Sequence, residues 1–119
     1  SISDLTAFTT NMEVINNIKV MVAIVEDYEI EIMKQIADAL CQKYDNCFVL
    51  LANKRANNVN IIAKSNTPKV NCGSITKDLS IKCGGNGGGS IAFAQGGGRD
   101  AANLSEYLSD IKEELKNVK

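Results

Sequence analysis

Two almost continuous apolar runs dominate the hydrophobic pattern of the chain. They cover Ile18 to Val25, interrupted only by Lys19, and Cys47 to Ala52. Short runs rich in Val, Ile and Leu are typical of strands that are covered on both faces. Between them, apolar residues recur at helical spacing from Ile30 to Tyr44, after three acidic residues that favour a helix N-terminus. The pattern predicts a strand–helix–strand unit with a right-handed parallel crossover.

A third strand and a short helix are predicted in the middle of the chain. The strand covers Val59 to Ser65, and the turn before it contains Asn57-Asn58, residues that tolerate a positive φ. The helix is predicted to have Ser74 as its N-cap and Gly84 as its stop. Its apolar face consists of Ile75, Leu79 and Cys83.

Another strand and a longer helix are predicted in the last third. The strand covers Ile91 to Ala94 and lies between two glycine-rich loops. The helix is predicted to begin with Asp100 as N-cap, because an amphipathic pattern follows it. The apolar stripe of this helix consists of Leu104, Tyr107, Leu108, Ile111, Leu115 and Val118.

The N-terminal residues fit two structures. Apolar positions from Leu5 to Ile15 have helical spacing, whereas Asn16-Asn17 suits a hairpin turn after a short strand. We predict a ragged helix followed by that hairpin. The fold class is therefore α/β: a single domain with a mixed central β-sheet and helices packed on it, in the order roughly (β)-β-α-β-β-α-β-α. Residues 1–15 are predicted to be a linker or helical remnant of a preceding part of a parent chain, and residues 16–119 the globular domain.

Length and composition narrow the class of protein. With 119 residues, 45% of them hydrophobic, the chain is long enough for one domain with a real core. It has no apolar run near the ~20 residues of a membrane-spanning helix and no pattern of a signal peptide. The four cysteines are loosely spaced and histidine is absent, so we expect reduced structural thiols, no metal site and a cytoplasmic location.

Charge is distributed unevenly although the net charge is only −1. Residues 1–53 carry three Lys against eight Asp or Glu, and residues 100–119 carry three Lys against five. Residues 54–99 carry seven Lys or Arg against Asp78 alone. Clustered cations attract an anionic partner whatever the net charge, but a solvated surface with chance clustering remains the alternative.

All nine glycines lie between Gly73 and Gly98, in the same cationic third. The first run does not match a phosphate-binding P-loop, because no lysine follows Gly89 and the order is helix, loop, strand. Gly96-x-Gly98-x-x-Ala101 has the spacing of a dinucleotide fingerprint, but a tight strand-to-helix joint is the preferred interpretation. Without histidine and without a base beside any serine, no catalytic constellation is predicted.

These segments resemble a known family. Lys82-Cys83-Gly84-Gly85-Asn86-Gly87-Gly88-Gly89 and then Phe93-Ala94-Gln95-Gly96-Gly97-Gly98 are similar to the DHH-associated C-terminal domain of alanyl-tRNA synthetases. The resemblance runs from about Asn16 to the end. The chain departs from the family at Ser90-Ile91-Ala92, where those synthetases usually have Arg-Pro-Asp. Relatives attached to DHH phosphodiesterases have a histidine there, which this chain lacks.

The resemblance implies a tRNA-binding appendage of an alanine–tRNA ligase. Its expected partners are tRNA(Ala) at the outer corner of the L and the remainder of the parent synthetase, with a second copy as a further candidate. The fragment itself is expected to be non-catalytic and to have no cofactor or metal, since ATP, Mg and zinc would serve other parts of the parent. Alternatives are the substrate-binding domain of a DHH-type phosphodiesterase and a dimerisation module. The predicted RNA-binding residues are Lys77, Lys82, Gly84, Gly85, Gly87, Gly88, Gly89, Ser90, Gln95 and Arg99.

Overall fold

The computed structural model describes residues 4–119, so the first three residues of the predicted linker lie outside the described part. Ten elements follow one another along the chain: α1 (Thr6–Thr9), β1 (Glu13–Ile15), β2 (Ile18–Glu26), α2 (Ile30–Lys43), β3 (Cys47–Arg55), β4 (Asn58–Ser65), α3 (Cys72–Lys82), β5 (Asn86–Gly89), β6 (Phe93–Gly98) and α4 (Leu104–Leu115).

The six strands form one mixed sheet in the order β1-β2-β3-β4-β6-β5. β2 and β3 are parallel, joined through α2, and the other neighbouring strands are antiparallel. The predicted α/β class and the parallel β2–β3 unit are therefore confirmed. β3 lies near the middle of the sheet, and every residue from Cys47 to Asn53 is buried. This position explains why its sequence is continuously apolar rather than alternating.

Helices cover both faces of the sheet. On one face, Met33, Ile36 and Leu40 of α2 pack with alternate residues of β2, β3 and β4. On the other face, α3 and α4 pack against the residues of opposite parity, through side chains such as Leu79 and Leu108. None of the helices within residues 4–119 has both the length and the apolar character that crossing a bilayer requires.

The N-terminal hairpin agrees with its prediction. Asn16 and Asn17 have φ values of 54° and 64°, as a tight turn between two antiparallel strands requires. Register pairs from Glu13↔Val20 to Ile15↔Ile18 follow from that turn. The ragged helix is the single turn α1, whose Phe8 is buried.

Three predicted helix and turn signals are displaced in the structure. The N-cap of α3 is Asn71, whose side-chain oxygen accepts a hydrogen bond from the backbone N–H of Ser74 at 3.2 Å. α4 begins at Leu104 rather than next to Asp100, because the Asp100 carboxylate accepts the Ala102 N–H in a turn that precedes the helix. In the β3–β4 turn, the positive φ of 54° falls on Ala56 rather than on Asn57-Asn58.

The largest difference concerns the glycines. The first run was predicted to be a loop, but Asn86 to Gly89 form the edge strand β5. The second run was also predicted to be a loop, but it is the C-terminal half of β6. Glycine has a low strand propensity, so sequence patterning does not indicate these strands. The reason for them is tertiary, since they pair with each other while α3 packs on them.

Candidate nucleic-acid interface

The β5–β6 hairpin supports α3 at very short range. Gly87 and Gly96 form a register pair, and both lie beneath Ser80 of α3. A Cβ atom on Gly87 would stand 2.6 Å from the Ser80 Oγ, and one on Gly96 would collide with the same atom. Real Cβ atoms essentially never approach so closely, so the two glycines allow the helix to lie directly on the strands.

Two other glycines leave room for backbone atoms of neighbouring segments. A Cβ on Gly73 would stand 2.5 Å from the carbonyl oxygen of Gly89. One on Gly98 would collide with the carbonyl oxygen of Cys83. Part of the glycine content is thus explained by the packing of α3 on the strands, whereas the sequence predicted a loop at the first run and a tight strand-to-helix joint at the second.

The opposite face of the hairpin is open. Successive residues of a strand face opposite sides of the sheet, so the register pair Gly88 and Gln95 lies on the face away from α3. Gln95 is exposed, and a Cβ added at Gly88 would meet nothing within 4 Å. A surface of this kind lets a flat or ridged partner approach the backbone of the strands.

A polar groove with a volume of about 440 Å³ lies at the end of the β5–β6 hairpin that is opposite its turn. We call it the Arg99 groove. It is lined by Asn58, Val59, Asn60, Gly84, Gly85, Asn86, Gly97, Gly98 and Arg99. A second hollow of about 390 Å³ shares Asn58 and Arg99 with it and adds Lys54. Two cations, asparagine amides and glycine backbone therefore surround one open region.

The start of the groove is fixed by the end of α3. Gly84 follows the helix with a φ of 73°, a left-handed conformation that favours glycine. The carbonyl oxygen of Cys83 accepts hydrogen bonds from the backbone N–H groups of both Arg99 and Asp100 at 2.9 Å. These bonds hold the chain that leaves β6 against the end of α3. The backbone position of Arg99 is therefore set by the two glycine segments together.

Most cations of the middle third take no part in ion pairs. Within residues 4–119, the ion pairs join Lys34 to Glu31, Lys64 to Asp38, Lys112 to Glu13 and Lys116 to Glu113. Only Lys64 among these belongs to the cationic segment 54–99. Lys54 and Arg99 beside the groove are thus available to neutralise an anion.

The predicted residues do not all converge on the groove. Gly84, Gly85 and Arg99 line it, whereas Lys82 lies 5.5 Å from the ring centroid of Tyr107. The cleft around Lys82 also contains Asp78, Asp110 and Glu114, so an anion would meet like charges there. The structure therefore separates Lys82 from Arg99.

The remaining predicted residues lie on α3 and along the hairpin. Lys77 is exposed on α3, whose buried residues face the strands. Gly87 belongs to the face of the hairpin beneath α3, and Gly89, on the same face, stands against Ala94. Ser90 lies in the β5–β6 turn, where its hydroxyl accepts the Phe93 N–H at 3.1 Å and donates to the Phe93 carbonyl at 3.2 Å.

Sequence reasoning missed the contribution of the β3–β4 turn. Lys54, Asn58 and Asn60 reach the same region as Arg99 although they are about 40 residues away along the chain. The polar stretch in an otherwise apolar part of the sequence was the available signal. It becomes informative only once β4 is known to pair with β6.

The functional groups of this region are cations, amides and backbone N–H and C=O groups. Within the described chain, no group of three or more metal-ligating His, Cys, Asp or Glu residues is present. Burial raises the pKa of the nearby Cys83 thiol, with a smaller contribution from Asp100. Arg99, asparagine amides and accessible glycine backbone line the groove, and Lys54 lines the adjoining hollow. Groups of these kinds bind phosphate and sugar oxygens.

Known proteins similar to this chain agree on one family. Residues 17–117 match the DHHA1 domain. An alanine–tRNA ligase from Staphylococcus aureus strain JH9 is 34% identical over 110 residues, which cover 90% of this chain. The chain spans only 13% of the length of that relative.

Solved structures show the same fold. The C-Ala domain of Aquifex aeolicus alanyl-tRNA synthetase superimposes with a TM-score of 0.81 at 24% identity, covering 90% of this chain and 99% of that domain. An exopolyphosphatase-related protein from Bacteroides fragilis matches with a TM-score of 0.58 at 16% identity, over 98% of this chain and 38% of that protein. The chain belongs to the DHHA1 domain family and has the fold of a C-Ala domain.

Proposed function

We propose that this chain is the C-terminal tRNA-binding domain of an alanine–tRNA ligase. In this proposal it contacts the outer corner of tRNA(Ala) and supports aminoacylation and editing that other domains of the parent carry out. The observation that carries the proposal is that Arg99 lies with exposed glycine backbone in one groove, while Lys54 lines an adjoining hollow that also contains Arg99. An alanine–tRNA ligase is 34% identical to this chain over a segment that covers 90% of it, which supports RNA as the ligand.

The groove is better suited to recognising the sugar-phosphate backbone of a folded RNA than to reading the sequence of its bases. Glycines offer N–H and C=O groups without side chains, and the open face at Gly88 imposes no steric limit. Two cations can neutralise phosphates wherever the RNA shape brings them within reach. Recognition of this kind depends on shape and on phosphate and sugar contacts. A corner of a tRNA, where backbone segments meet, supplies such a target.

The experiment that tests this function is a titration of the chain with tRNA(Ala) at increasing salt. If roughly two phosphates are neutralised, a fourfold rise in salt should lower the affinity roughly tenfold. An unstructured RNA of the same length is the control and should bind more weakly, because shape is lost. Equal affinity for both RNAs, or binding that salt does not affect, would contradict the proposal.

The alternatives differ in their expected ligand. A substrate-binding domain of a DHH-type phosphodiesterase should bind a dinucleotide or short oligonucleotide with an affinity similar to that for tRNA. A dimerisation module should bind neither. The same titration with a dinucleotide therefore distinguishes the three functions.

A further inference from the structure

Two cysteines meet at the end of the sheet that is remote from the Arg99 groove. Cys41 lies in the last turn of α2 and is half-buried, and Cys47 begins β3 and is buried. Both belong to the apolar cluster between α2 and the sheet. The two side chains are close enough for each thiol to shift the pKa of the other. The two cysteines therefore lie in one cluster, and Cys41 is the more exposed of the two.

The side chain of Asn66 holds the backbone on both sides of this pair. Its Nδ2 donates to the carbonyl oxygens of Cys41 at 2.9 Å and Tyr44 at 2.8 Å. Its Oδ1 accepts the backbone N–H of Cys47 at 2.7 Å. The backbone N–H of Asn66 in turn donates to the Cys47 carbonyl at 3.1 Å. A single residue thus fixes the end of α2 against the start of β3.

The surroundings give the two thiols different reactivity. Interaction with the Cys47 thiol lowers the pKa of Cys41, and the Lys64 ammonium lowers it further, against opposing effects of burial and of the Asp38 carboxylate. Interaction with Cys41 and burial both raise the pKa of Cys47, an effect that Lys19 offsets only in part. An accessible thiol of lowered pKa beside a buried thiol is the arrangement of an attacking and a resolving cysteine.

We propose that Cys41 and Cys47 form a peroxide-sensitive thiol pair that closes an intramolecular disulfide. In the first step the Cys41 thiolate attacks a hydroperoxide. The O–O bond breaks, the alcohol or water leaves with the proton, and Cys41 becomes a sulfenic acid. In the second step the Cys47 sulfur attacks the Cys41 sulfur, the S–O bond breaks, and hydroxide leaves as water with the Cys47 proton. Two thiols and one hydroperoxide thus give one disulfide, one alcohol or water, and one further water.

The other cysteines do not share this arrangement. Cys72 and Cys83 are both buried in the cluster on the opposite face of the sheet. Burial is the main reason that the pKa of Cys72 is raised to about 12. Thiols of raised pKa and low exposure react slowly with peroxide. Selective modification at Cys41 and Cys47 is therefore expected.

The test is to treat the reduced 119-residue chain with hydrogen peroxide and map its thiols by alkylation in denaturant and peptide mass analysis. We expect a peptide pair linked through Cys41 and Cys47, loss of alkylation at both, and recovery with dithiothreitol. Cys41 should react at least about tenfold faster than Cys72. Linkage through Cys72 or Cys83, or a Cys41 that stays a thiol after peroxide has oxidised the methionines, would overturn the proposal.

Two variants separate the steps. Cys47→Ala should abolish the linked peptides and leave Cys41 as a sulfenic acid that dimedone traps. The matched variant Cys72→Ala should form the Cys41–Cys47 disulfide as the original chain does. A linked Cys41 peptide in Cys47→Ala would contradict the assignment of Cys47 as the resolving residue. If Cys47→Ala does not fold, the peptide map of the original chain still decides the question.

Discussion

Replacing Gly96 by alanine should lower the free energy of unfolding by about 2–3 kcal/mol, as is typical of overpacking a close contact. The new Cβ would collide with the Ser80 Oγ, in an interior where α3 already lies on the strands. Urea denaturation measures the change, with the slope of the transition serving to verify that the two variants unfold similarly.

A double-mutant cycle makes this prediction specific. Ser80→Ala removes the atom that the new methyl group would strike, so Ser80→Ala/Gly96→Ala should recover more than half of the lost stability. Ser80→Ala alone should be nearly neutral, because the Ser80 hydroxyl is buried without a hydrogen-bond partner. Gly98→Ala is the matched control, since its methyl group would strike the Cys83 backbone carbonyl. Equal rescue of Gly98→Ala by Ser80→Ala would contradict this packing explanation.

Reversing the charge of Arg99 should weaken tRNA(Ala) binding about tenfold and reduce the salt dependence by about one phosphate contact. Arg99→Glu removes a cation from the groove and adds a carboxylate where the RNA backbone would lie. The residue is exposed, so its replacement should leave the free energy of unfolding nearly unchanged. Anisotropy of labelled tRNA measures the affinity.

Lys69→Glu is the control for Arg99→Glu. Lys69 is also an exposed cation of segment 54–99, but it follows β4 at the other end of the sheet, roughly 20 Å from the start of that strand. The net charge changes equally in both variants. We expect Lys69→Glu to change the affinity less than about twofold at moderate salt, because distant surface charges are screened. Equal losses in the two variants would show that only the overall charge matters.

Sequence patterning reveals the elements that burial determines. The apolar runs of β2 and β3 and the periodic helix between them follow directly from their position within two helical layers. The Asn16-Asn17 turn is also predictable, because asparagine tolerates the left-handed backbone. Such elements can be predicted from the sequence because the type of each residue reflects its own burial or backbone conformation.

The glycine strands and the groove are not visible in that way. Gly87 and Gly96 become strand residues because of α3, which contacts them only in the folded chain. Lys54 reaches Arg99 through pairing of β4 with β6, a contact between distant segments. Lys82 was grouped with Arg99 by proximity in sequence, yet its side chain lies over Tyr107. Register and side-chain direction are tertiary facts that local patterns do not contain.

In the proposed function, RNA contacts the Arg99 groove and the open face of the β5–β6 hairpin. Backbone amide signals of the 15N-labelled chain, followed while tRNA(Ala) is added, test it most directly. We expect the largest signal changes from Gly84 to Arg99 and in the β3–β4 turn, with α2 almost unaffected. Changes that centre on α2, or on the cleft between α3 and α4 around Lys82, would contradict it.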